Sequence, residues 1–384
     1  MLLLPPNEPE LGFSRLAILW AMLTHFCNRI VIAGSLLTLY CGLLSAQESI
    51  PVKAEGQSLS WIMQESGTTA GLRGIYSVDG KIAWASGTGG TVLKTTDGGE
   101  HWTKCAVPDA ATDGATLDFR GVQAWDAQTA IVMASGPGDK SRLYKTVNGC
   151  KSWKLVLKNA DKDGFWDALI QNRFDEDGFL FGDPVGGQFV LLETADKGAT
   201  WQKHNHEGLH ALAQEGAFAA SNSSIFVDER YGMGFVTGGP NGARMFLDED
   251  DAVDGRFTVQ SLPLAGRSAS AGGFSIDARD WCCRVVVGGD YGKPNESAGT
   301  ATWTIDGGKT WTASAKPPHG YRSSVAWSGE LKAWITAGTN GSDISRDDGK
   351  TWAPLDDGNW NALSLPFVVG PKGRIARLSI SAAK

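Results

Sequence analysis

One phrase recurs along this chain and limits what it can fold into. It reads TIDGGKTW at residues 304–311 and SRDDGKTW at 345–352, with looser copies at 95–102, 146–153 and 194–201. Successive copies stand roughly 50 residues apart, the period of a supersecondary unit stacked many times over. One interval is about twice as long, so a degenerate copy is expected within residues 246–257. Ahead of these phrases run apolar, β-branched segments that close on glycine: Gly87, Gly136, Gly182, Gly238, Gly288, Gly338 and Gly370. Such runs read as strands and the glycines as their ends. Three strands, an Asp-turn and a fourth strand, repeated seven times, predict an all-β, seven-bladed β-propeller.

The seventh unit has no such phrase, because residues 361–380 supply three strands only. The segment LSWIMQES at residues 59–66 stands unused before the first unit. It is the expected fourth strand of the last blade, closing the ring and leaving no open edge. Inside the phrase, Asp97, Asn148, Asp196, Asp306 and Asp347 are placed to accept backbone N–H groups of their own turns. The glycines there supply positive φ. Trp102, Trp153, Trp201, Trp311 and Trp352 then open the outer strand with the ring turned inward. A group repeated around a rim cannot converge on one substrate, so all of these residues are read as architecture.

These phrases resemble the Asp-box, or BNR, repeat of sialidases and several other propellers. Further stretches point more narrowly: FGDPVGGQFVLLETADKGATW, VGGDYGKP, GSDISRDDGKTW and VVGPKGRIARL. With them, residues 59–382 resemble the exported bacterial relatives of the photosystem II stability/assembly factor family. The resemblance implies a seven-bladed, non-enzymatic assembly factor that holds partner proteins through an arginine-rich patch.

Residues 1–46 read as a signal peptide, with Met22 as an alternative start. Arg29 precedes an apolar run from Ile30 to Leu44, and Leu44-Ser45-Ala46 offers a small-residue cleavage site. The run is short for a membrane span. An exported protein is expected, periplasmic or secreted, with a single propeller domain over 47–384 and no stable membrane span after cleavage. The formal net charge of −7 argues against a general nucleic-acid binder. No cofactor is expected either, since the strand-ending glycines are not followed by a helix as a dinucleotide fingerprint requires. Of the six cysteines, Cys27 and Cys41 fall in the leader. Cys105, Cys150, Cys282 and Cys283 show neither zinc spacing nor a redox motif, and are expected as buried or unpaired thiols.

Loops that enter the innermost strands of a propeller gather at one end of its channel. Aligned on the glycines, Arg73, Arg120, Asp167, Arg322 and Asn361 fall at similar places, with Asp183, Asp290, Tyr291 and Tyr321 facing them. Guanidinium groups hold carboxylates bidentately and stay charged. The set therefore reads as a binding site for a protein partner of the cell envelope, or for an anionic group. The structural alternative is that each arginine pairs with an aspartate of a neighbouring blade and locks the ring. The functional alternative is a sialidase-like glycoside hydrolase, or a lyase, acting on an extracytoplasmic glycan with Asp167 and Asp183 as its carboxylates. On the scaffold reading no residue is catalytic. No metal site is expected: His204, His206 and His210 lack a fourth ligand. The acidic run from Asp248 to Gly255 lacks the spaced glycine and closing glutamate of a calcium loop.

Overall fold

The computed structural model describes residues 57–382 except 173–175, 204–206, 229–231 and 249–255. The expected leader, with Met22, Cys27 and Cys41, lies outside the described residues, as do His204, His206 and most of the expected degenerate turn. The described residues form seven four-stranded antiparallel sheets. Six are continuous in sequence, spanning residues 72–104, 119–158, 166–203, 225–262, 271–313 and 324–356, here blades 1 to 6. Blade 7 joins residues 362–382 to the strand Gln57–Gln64. That strand pairs antiparallel with Ile375–Ala382, Gln57 opposite Ala382 and Gln64 opposite Ile375. Closure by the N-terminal strand is thus as the missing seventh phrase predicts. Among the described residues, no helix is long and apolar enough to cross a membrane.

The recurring turns are held by their own side chains. Thr95 Oγ1 donates to Asp97 Oδ1 (2.7 Å) and accepts the Gly99 N–H (3.0 Å), while Asp97 Oδ1 accepts the His101 N–H (3.0 Å). The same three bonds recur around Asp196, Asp306 and Asp347, and around Asn148 with its amide oxygen. The Thr200 hydroxyl, 2.6 Å from Asp196 Oδ2, holds that carboxyl down at about 2. The tryptophans then seal the seams between blades. Trp102 stands edge-on to Phe367 of blade 7 (5.8 Å) and Trp153 to Trp84 of blade 1 (6.4 Å). This is apolar burial repeated around the rim.

The strand-ending glycines answer to close approach rather than to strand termination alone. A Cβ on Gly288 would stand 1.9 Å from the Gly272 carbonyl oxygen, on Gly338 2.1 Å from that of Tyr321, and on Gly87 2.2 Å from that of Gly71. Those neighbours are backbone and cannot swing aside. Gly288→Ala should therefore destabilise the protein by about 3 kcal/mol, read from the shift of a denaturant midpoint. A loss below about 1 kcal/mol would mean that the strands part without cost.

At the same place the innermost strand carries a bulge. Leu72 lies opposite Gly87 and Gly74 opposite Ser86, which leaves Arg73 as the extra residue. Arg120 is left over between Phe119 and Gly121, Asp167 between Trp166 and Ala168, and Phe274 between Gly273 and Ser275. A bulge re-aims a side chain, and here it does so in four blades of one ring.

Candidate functional site at the channel end

The bulged residues converge. Arg73, Arg120, Asp167 and Phe274 all line one cavity of about 520 Å³, completed by the loops that lead into blades 4, 6 and 7. The innermost strands then run on to a second cavity of about 530 Å³, lined by Ile75, Gln123, Gln171, Asn222, Trp327 and others. Between the two, side chains tie neighbouring blades together near the axis. Asn222 accepts the Leu169 N–H (2.8 Å) and donates to the Leu169 carbonyl (2.9 Å). Ser275 Oγ accepts the Val325 N–H (2.9 Å), and Asn361 donates to the Leu72 carbonyl (2.7 Å).

The first cavity is electrostatically divided. Blades 1 and 2 supply Arg73 and Arg120, and blade 3 supplies Asp167 and Asp183. Arg120 is already engaged: Nε donates to Asp118 Oδ2 (2.8 Å) and Nη1 to the Ala219 carbonyl (3.2 Å). Arg73 is half-buried, and its buried Nε has no hydrogen-bond partner. Burial, and after it the charge of Arg120, disfavour its charged form. A negative group arriving beside it would relieve both effects.

Asp167 is fully buried, with Oδ2 unpartnered. Burial first, and the neighbouring Asp183 second, push its carboxyl well above the ordinary carboxylate range. Burial also raises Asp183, whose Oδ1 accepts the Ala217 N–H (2.8 Å). Asp167 therefore holds a proton more readily than an ordinary carboxyl, and it shares the wall with guanidinium and aromatic groups.

Aromatic rings complete the wall. Phe218 stacks on Phe274 with centroids 4.0 Å apart, and Tyr321 meets Phe274 edge-on at 4.8 Å. Tyr291 stands edge-on to both Phe218 and Phe274 and is 55% exposed at the mouth. Burial holds the Tyr321 hydroxyl well above its ordinary value, so it stays a neutral donor.

Of the residues that the sequence aligns, Arg73, Arg120, Asp167, Asp183, Tyr291, Tyr321 and Asn361 reach this cavity. Arg322 does not. It stands beside Gly338 as Leu72 stands beside Gly87, one residue short of the bulge place, and Ser323 lines the cavity instead. Its side chain is wholly buried against Asp343 of its own blade. That corrects both expectations for Arg322, since it is neither a ligand group nor a link to a neighbouring blade. Asp290 also stays out of the cavity lining, taken up by the Ser270 hydroxyl (2.6 Å) and the Gly292 N–H (2.9 Å). Phe165, Phe218 and Phe274 are the aromatic members that sequence reasoning missed. Phe274 was within reach of it, because it holds the place beside Gly288 that Arg73 holds beside Gly87.

The cysteine expectation is also corrected: Cys105 and Cys150 form a disulfide, while Cys282 and Cys283 are free thiols. His210 is exposed, and its carbonyl accepts from Arg244 (2.8 Å).

No protein-family model matches the sequence, and no curated protein sequence does. Among solved structures, the chain is similar to YCF48 from Cyanidioschyzon merolae, with 18% identity, a TM-score of 0.58, and 83% of this chain and 98% of that one covered. It is similar to YCF48 bound to D1 peptide at 15% identity and a TM-score of 0.56, covering 83% and 94% of the two chains. The WD40 β-propeller domain of Doa1 follows at 11% identity and a TM-score of 0.54, with 83% and 97% covered. Likeness at these identities establishes the fold: this is a seven-bladed propeller whose bulged inner strands build one mixed-charge, aromatic cavity at the channel end.

Proposed function

We propose that this chain is a non-enzymatic, exported scaffold that holds a polypeptide of the cell envelope at the channel end. A carboxylate of that partner sits against Arg73 and Arg120, and an apolar side chain on Phe218, Phe274 and Tyr291. One observation carries the reading: Arg73 is a half-buried guanidinium aimed into a cavity, with its Nε unpartnered and a second arginine as neighbour. Such a group is matched by an anion that arrives from outside. That a propeller of the same fold has been solved with D1 peptide bound supports a polypeptide as the ligand.

The test is affinity capture from the organism's own envelope extract, with the wild-type protein and an Arg73→Gln/Arg120→Gln variant as baits and mass spectrometry as readout. The wild type should retain a defined polypeptide, and the variant should lose at least tenfold in affinity, about 1.5–3 kcal/mol for each charged hydrogen bond. Thermal stability should hardly change, because neither arginine is fully buried. Equal capture by both baits would refute the assignment.

A glycoside hydrolase or lyase is favoured by one feature, the raised carboxyls of Asp167 and Asp183 in a shared cavity. Sugar release from envelope glycans that Asp167→Asn abolishes would replace the scaffold reading.

A further inference from the structure

The strongest cluster of reactive side chains outside the channel-end site is the adjacent pair Cys282 and Cys283. It lies between the innermost strand of blade 5, Ala271–Ala278, and its second strand, Arg284–Asp290. Neighbouring residues in extended chain point to opposite faces. These two do not: their sulfurs stand 3.3 Å apart. Asp280 imposes the turn, with Oδ1 accepting the N–H groups of Cys282 (3.0 Å) and Cys283 (2.8 Å) and the Cys282 thiol (3.1 Å). Arg279 closes the other side. Its Nε donates to Asp280 Oδ2 (2.9 Å), its Nη2 lies 2.7 Å from Cys283 Sγ, and its Nη1 pairs with Asp348 of blade 6.

A second observation bears on the chemistry. Cys105 and Cys150 are already bonded to each other, so among the described residues the only thiol available to either of these cysteines is its neighbour. A guanidinium against the sulfur opposes a cation there. We propose that Cys282 and Cys283 form a redox-active dithiol that closes to a disulfide between adjacent residues, by exchange with an external glutathione-type or protein disulfide.

Cys282 is half-buried and meets the incoming disulfide; Cys283 is buried and resolves it. The Cys282 thiolate attacks one sulfur of the external disulfide and expels the first thiolate. The Cys283 sulfur then attacks the mixed disulfide at Cys282 and expels the second. Two protons pass from the cysteines to the two leaving thiolates, and two electrons reduce the external disulfide. Burial pushes the Cys283 thiol above its ordinary range. Closure removes the thiol donor to Asp280 and alters the sulfur that Arg279 touches, at the point where blades 5 and 6 are tied.

The test uses the whole protein, equilibrated across glutathione redox buffers containing EDTA, quenched in acid and alkylated with N-ethylmaleimide. Peptide mass spectrometry should show the 282–283 peptide passing from doubly alkylated to unalkylated and two hydrogens lighter, with no lasting glutathione adduct. Cys283→Ser should instead trap glutathione on Cys282 under the same conditions. Cys282→Ser, at the more exposed position, checks that the fold tolerates the change. Both thiols still alkylated after full oxidation would overturn the proposal, as would a glutathione adduct that persists on the wild type. Protection seen only without EDTA would assign a metal ion instead, and would overturn it equally.

Discussion

Arg322→Ala should lower the unfolding free energy by about 3–5 kcal/mol, far more than any change at Arg73 or Arg120. Asp343 is as deeply buried as its partner. Removing the guanidinium would leave a carboxylate in the interior with only His319 Nδ1 (2.8 Å) and the His319 backbone N–H (3.3 Å) against it. Arg322 also donates to the Tyr321 carbonyl (2.7 Å) and to Asn340 Oδ1 (2.6 Å), so those acceptors would be orphaned together. Equilibrium denaturation of Arg322→Ala, Asp343→Ala and the double variant decides the matter. The double variant should be less damaged than the sum of the singles, because the buried unpaired charge is then gone. Additive losses would mean that the pair is not coupled.

The second large effect lies between blades 1 and 2. Cys105 follows the outer strand of blade 1 and Cys150 stands in the turn of blade 2, at a sequence separation of 45. Cross-linking a loop of that length restricts the unfolded chain by about 4 kcal/mol on the chain-entropy account. Cys105→Ser/Cys150→Ser should lose about that much, measured by denaturant unfolding without reductant. A subtler comparison follows from the backbone. Cys150 has φ +65° at a place where the other turns have Gly99, Gly198, Gly308 and Gly349. Cys105→Ser/Cys150→Gly should therefore recover about 1 kcal/mol relative to the double serine variant. If the two variants melt together, the left-handed conformation at 150 has no cost.

Much of the fold was legible because its signals are local and repeated. An aspartate two residues after a hydroxyl, and a tryptophan five further on, specify a turn by bonds that close within the turn itself. Seven copies of a glycine-ended run then gave the blade count, and one missing phrase gave the closure. The site was legible only in part. Arg73, Arg120 and Arg322 look alike in sequence, and what separates them is a one-residue slip in pairing that no composition records. The sign that could have told them apart was Asp343. It occupies the third strand of blade 6, where Leu93 and Tyr144 stand in blades 1 and 2. The Cys105–Cys150 bond escaped notice for a similar reason, since two residues far apart in sequence meet only once adjacent blades are stacked.

The pairing of Gln57–Gln64 with Ile375–Ala382 has a consequence for the order of assembly. Synthesis delivers the first of these strands hundreds of residues before its partner exists. Blades 1 to 6 are complete in themselves and can mature one after another, but the seventh sheet must wait for residues 362–382. Deleting Gln57–Gln64 or Ile375–Ala382 would injure the same sheet, so two changes far apart in the gene should produce one and the same defect: a ring unlatched at a single flank.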